Sequence, residues 1–383
     1  MPQRDASSLL RRRRPPFPLL ALALASVACG VWGGMARLGW SIPDGHADFA
    51  QLHGPLMVFG FLGTVISLER AVALRRPWGF LAPLGTLAGT ALLLSGVRAG
   101  IGELVLLLAG AVLVGLYGVI LSEQPSRANV TLAGAAILWV AGGALWLAGR
   151  PLVEVVPWWA GFLVATIAGE RLELSALGRL TELGRLAFGG ATAVLVAGLL
   201  VGTADHEIGF RIVGAGFLSY AAWLARYDIA RRTVRLPGLP RFVALSLLPG
   251  YAWLGVAAAL WLRYGAVAFG PTHDAELHAL FLGFVFSMIF GHAPVIFPGV
   301  LGIAIPYRRL FYVHLALLHI GLVMRIAGDL TASEGTFRWG GLINTVAIGL
   351  FLLATLASGA LASLREARRE RGEKARRPLR SRA

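Results

Sequence analysis

The sequence is short of charge and nearly free of cysteine. Charged residues make up 14% of its 383 positions, against about 25% in an average soluble protein. With a hydrophobic share of 57% and a mean hydropathy of +0.71, the chain is neither a solvated disordered polymer nor an ordinary soluble globule. Its single cysteine, Cys29, lies inside the first apolar run. One thiol cannot build a disulfide framework, a zinc finger or a dithiol redox pair. Acidic residues are also scarce, 20 against 35 Lys and Arg, for a net charge of +15. The basic residues crowd the two ends: Arg4 and Arg11 to Arg14 at the start, and a run from Arg365 to Arg382 at the finish. Such tails suit an anionic lipid surface, and no nucleic-acid-binding fold is hidden between them. Walker, nucleophile-elbow and HExxH motifs are absent.

What is present is a series of long apolar runs. They fall at 17–38, 50–69, 78–97, 102–121, 129–148, 152–169, 186–203, 209–226, 242–262, 276–301, 309–328 and 339–363. A span needs about 20 residues, so the runs predict an all-α, polytopic transmembrane bundle of about twelve spans. The bundle would be a single domain, 17–363, between basic tails at 1–16 and 364–383. The first run follows four arginines, as a signal peptide would, but it is long and lacks a small-residue cleavage site, and it reads as a retained helix. Alternate loops hold the positive charge: 28 of the 35 basic residues fall on the side of the two tails and seven on the other. That asymmetry predicts cytoplasmic termini in a bacterial plasma membrane.

Ionisable groups inside spans are costly and mark candidate sites. The histidines His53, His278, His292, His314 and His319 fall in spans two, ten and eleven, with His46 and His273 in adjoining loops. His206, beside Asp205 and Glu207, reads as a solvated loop residue. An outer tier would hold His53 and His278. An inner tier would hold His292 and His314, with His319 above. At 100° per residue, His278 and His292 would project within about 40° of one stripe. Imidazoles on neighbouring helices are a means of holding haem iron or copper, although a lone membrane histidine serves equally as a helix–helix hydrogen bonder. Met57, one turn beyond His53, is a further candidate ligand or a packing residue. Pro294 and Pro298 predict a kink or break beside His292. Gly283 and Gly291 would let a helix or a flat macrocycle approach. Arg325 could pair with a haem propionate or anchor the interface. Tyr117, Tyr220, Tyr251, Tyr264 and Trp158 or Trp159 fit an aromatic belt.

Two segments carry a family resemblance, HGPLMVFGFLGTVISLER from His53 and HALFLGFVFSMIFGHAPVIFPGVLG from His278. They resemble the NnrS family, twelve-span bacterial membrane proteins linked to nitric oxide stress and described as containing haem and copper. More distantly, the HG-x-x-M-x-F-G opening is similar to haem–copper oxidase subunit I, where a histidine at this place ligates low-spin haem. The stretch HADFAQLHG stands where the NnrS family has a W-H-x-H-E type entry, and the oxidase copper-site signatures are missing. The resemblance implies haem b, with copper as a second candidate, and a small gaseous or redox-active substrate. Metal ligands would be His53, His278, His292, His314 and His319, with Arg325 at the cofactor. Catalysis, electron carriage and gas sensing stay open. The alternatives are a proton-coupled transporter with intramembrane histidines and an assembly or scaffold protein.

Overall fold

The computed structural model describes residues 17–43, 48–97, 100–176, 180–301 and 305–376. The tails expected at 1–16 and past 376 lie outside these residues, as do His46, Arg98 and Arg179. Among the described residues every regular element is helical, and twelve helices are long and apolar enough to cross a bilayer. These are α1 (Phe17–Arg37), α2 (His53–Leu74), α3 (Pro77–Leu94), α4 (Ile101–Glu123), α5 (Arg127–Leu147), α6 (Leu152–Ser175), α7 (Glu182–Val201), α8 (His206–Tyr227), α9 (Leu239–Tyr264), α10 (Pro271–Gly299), α11 (Phe311–Leu330) and α12 (Glu334–Gly359). The last helix runs on past its apolar part to Arg376.

Local chemistry sets where these helices begin and end. Ser126, Thr181 and Asp205 cap α5, α7 and α8, each accepting a backbone N–H three residues ahead. Gly265, at φ 67°, closes α9 in a conformation that side chains resist.

Helices that adjoin in sequence mostly pack side by side, and α1 touches α12, so the chain winds round into a closed bundle. Three helices lie inside it. The apolar windows of α2, α6 and α10 are 67%, 72% and 72% buried, against at most 56% in any other span. A helix that is apolar all round and covered on all sides belongs to the interior, whereas one covered on a single face meets lipid. The interior helices recur every fourth span, and α10 touches both α2 and α6.

Several sequence expectations change here. Helix α6 does not stop at 169 but continues to Ser175, which brings Glu170 and Arg171 into the bundle. Tyr117, Tyr220, Tyr251 and Trp159 are at most 2% exposed, so they fill the core rather than a belt. Trp158 is likewise buried, and Tyr264 alone of the set is exposed. Helix α10 passes through Pro294 and Pro298 without a break. Its departure from α geometry lies upstream, where Ala279–Phe286 is π-helical. A matching π stretch, Leu56–Gly63, occupies α2. Thr64 closes that stretch, donating both its N–H and its hydroxyl to the Phe59 carbonyl five residues back. π-Helical turns are rare and collect at functional sites. Both of these begin within three residues of a histidine.

Candidate functional site

His53 and His278 meet at the end of the bundle where α2 and α10 begin. Their ring centroids are 6.3 Å apart and their planes 28° from parallel. Each ring is fixed through Nδ1. His53 Nδ1 donates to the Gly30 carbonyl at 2.6 Å. His278 Nδ1 donates to the Asp274 carbonyl at 2.8 Å and lies 3.1 Å from Asp274 Oδ2. These bonds set the tautomer, leaving Nε2 unprotonated and free on both rings. Gly34 makes room for His53, since a Cβ there would lie 3.1 Å from the ring.

The pair opens on a cavity of about 670 Å³ between α1, α2, α6, α10, α11 and α12. Its walls are mostly aliphatic and aromatic, including Val31, Met57, Leu62, Trp159 and Phe286. Polar groups gather at the histidine end, namely Arg37, Arg325, Asp274 and Asp329, with Asn344 further along the wall beside Leu318. Arg325 is 8% exposed and grips Asp274 with Nε and a terminal nitrogen at 2.8 and 2.9 Å. The same carboxylate therefore joins Arg325 to His278. The Oδ1 atom of Asn344 and Oδ2 of Asp329 are buried with no hydrogen-bond partner. Met57 lines the cavity with its sulfur in the notch left by Gly30, where a Cβ would lie 2.6 Å from it.

Of the expected ligands, the structure brings together His53 and His278, with Arg325 beside them. The expected inner tier does not assemble. His314 is enclosed by Phe242, Phe290, Phe311 and Phe351, with centroids 4.9–6.3 Å away. Phe290 faces it from α10, and His292, two residues further along an α-helix, points to the other side. His319 Nδ1 accepts from Trp253 Nε1 at 3.1 Å, so its Nε2 carries the proton and is no ligand in that state. His292 itself is committed elsewhere. Its Nδ1 donates to the Met288 carbonyl at 2.8 Å, and its Nε2 accepts from Arg171 at 3.2 Å. The single stripe expected for His278 and His292 fails because of the π segment. A π-helix turns each residue by about 80° rather than 100°, so eight of them displace His292 by roughly 160°. Gly283 and Gly291 admit neighbouring helices, packing on Trp253 and on Ser246 and Leu247 of α9.

The far end of the three interior helices is closed by charge. Arg171 holds Asp228 through Nε and NH2 at 2.6 and 2.9 Å, with both side chains at most 5% exposed. Arg70 reaches Glu170 at 2.6 Å and Glu69 at 3.5 Å. This network links α2, α6, α8 and α10. Nearer the other end, His206 is not a free loop residue: it pairs with Glu154 at 3.0 Å and donates to the Gly202 carbonyl.

Residues 16–360 match the model of a family described as a domain of unknown function, DUF8744. The chain belongs to that family. No curated protein matches it.

The donor set of this DUF8744 chain determines what it could hold. Among the described residues no group of three or more His, Cys, Asp or Glu is placed to bind a metal ion. Two imidazoles suit a planar macrocycle that brings its own four nitrogens. The ring centroids lie 6.3 Å apart, so both imidazoles are within reach of one group bound between them. The apolar walls and the arginines at one end fit an amphipathic ring with carboxylate tails.

Sequence reasoning passed over Asp274, Arg171 and Asp228. Asp274 had a signal, since it stands four residues before His278 and so shares its helix face. The two histidines also share a local pattern, Ala50-Gln51-Leu52-His53 and Ala275-Glu276-Leu277-His278, each leading into π-helix. A second pattern, Ile66-x-x-Glu69-Arg70 and Ile167-x-x-Glu170-Arg171, marks the charged end.

Proposed function

We propose that this chain is a b-type haem protein of the bacterial plasma membrane, serving in nitric oxide or related redox stress, with His53 and His278 as the residues that would hold the haem iron. The observation that carries the reading is the pair itself. Two imidazoles from different interior helices line one cavity with their rings 6.3 Å apart and each Nδ1 held by a protein carbonyl. When bound, haem supplies one-electron chemistry or gas binding at its iron. The chain's own residues hold both rings in one tautomer, exclude water with aliphatic walls, and set arginines where carboxylates would lie. The resemblance of the His53 and His278 segments to the NnrS family supports the choice of haem and the link to nitric oxide stress. The charge asymmetry of the loops supports a periplasmic position for the histidine end.

A second reading, a proton-coupled transporter, draws on the buried network of Arg70, Glu170, Arg171 and Asp228, since charged groups inside bundles mark ion paths. The test is a pyridine-haemochrome spectrum with metal analysis of detergent-purified protein made with haem precursor and copper supplied. The haem reading predicts about one haem per chain. Protein that takes up neither haem nor copper would leave the fold standing and transfer the assignment to the transporter.

A further inference from the structure

The two rings of the histidine pair are held by unlike groups, and the difference falls on one carboxylate. His53 Nδ1 donates only to a backbone carbonyl, that of Gly30. His278 Nδ1 faces both the carbonyl and the carboxylate of Asp274, and Arg325 fixes that carboxylate from its other side with two hydrogen bonds. Arg325 is itself 8% exposed and lies over the ring of Phe337, 5.1 Å from its centroid. The clamp therefore joins α10 to α11 and leaves the carboxylate little freedom to leave His278.

We infer that Asp274 is a positioning residue that makes His278 the stronger electron donor of the pair, and that Arg325 sets how much of its charge reaches the ring. The inference rests on the haem reading of the same site. A carboxylate accepting the Nδ1 proton gives the imidazole partial imidazolate character, which strengthens Nε2 as a donor and favours the more oxidised state of a bound metal. A backbone carbonyl does this less. Arg325 opposes the effect by drawing electron density to its own side of the carboxylate. Removing Asp274 and removing Arg325 should thus have opposite consequences, which a purely structural clamp would not give.

The experiment is a redox titration and a low-spin EPR spectrum of haem-loaded full-length protein carrying Asp274→Asn, Arg325→Gln or Asp329→Asn. Asp329 lines the same cavity beside Asp274 and makes no hydrogen bond to His278, so it controls for a polar substitution next to the clamp. Asp274→Asn should keep its haem, shift the midpoint potential upward and change the g-values. Arg325→Gln should shift the potential downward. Asp329→Asn should leave the g-values unchanged. Asp274→Glu keeps the charge and should return both readouts toward the parent. Equal potentials and spectra in parent and Asp274→Asn, or shifts of one sign in Asp274→Asn and Arg325→Gln, overturn this inference alone. Parent protein that binds no haem overturns the ligand reading and this inference with it.

Discussion

The two ends of the interior helices solve the problem of buried polarity in opposite ways. At one end the charges are matched to one another: Arg171 with Asp228, Arg70 with Glu170, and His292 turned onto Arg171. At the other end the polar groups are anchored on one side and left open on the other. His53 and His278 spend Nδ1 on the protein, and Asp329 Oδ2 has no partner. The same three helices thus carry a closed end, where buried charges pair across the bundle, and an open end, where the proposed ligand would sit. Histidine alone does not distinguish them, because His292 and His278 lie on one helix and behave differently.

Breaking the closed end should have the largest effect on folding. Asp228→Ala leaves Arg171 buried and uncompensated and removes the acceptor of the Ala230 N–H. It should cost about 3–5 kcal/mol, whereas replacing both Arg171 and Asp228 with leucine should recover most of the loss. Thermal unfolding in detergent, followed by circular dichroism, reads both. A double variant no better than the single one would show that the pair is not the source of the loss.

A smaller effect is expected at the open end from Gly34→Ala. The added Cβ would press on the His53 ring at 3.1 Å. It should lower haem occupancy while shifting stability by about 1 kcal/mol. Full occupancy would mean that His53 tolerates displacement and that its placement is not critical. The smallest effect is expected from His314→Phe. His314 is 2% exposed in an aromatic enclosure, and its Nε2 has no partner. Replacing an unpaired polar group with an apolar one of similar shape should be neutral to within about 1 kcal/mol. A loss of haem in this variant would restore His314 to the ligand set.

Span number and approximate span limits were legible in the sequence, because membrane helices announce themselves by runs of apolar residues that need no tertiary knowledge. The limits failed where a charge was mistaken for the start of a loop. Arg171 ended the apolar run, yet its partner Asp228, 57 positions away, pays for its burial. No local pattern reveals such a pairing. His53 and His278 were legible as candidates, from their place in the spans and from the family resemblance. Their separation from His292 and His314 was not, since it turns on eight residues of π-helix that shift the face of α10. Regular α periodicity predicts the wrong side. Asp274 was within reach through its four-residue spacing, whereas the partnership with Arg325 needed the packing of α10 on α11.

Haem content measured side by side in His53→Ala, His278→Ala, His292→Ala and His314→Ala tests the contrast between the two ends most directly. The account predicts that the first two variants lose the haem absorption band and that the last two keep it at the parent's stoichiometry. Haem retained in both His53→Ala and His278→Ala, or lost in His292→Ala from protein that is still folded, would contradict it.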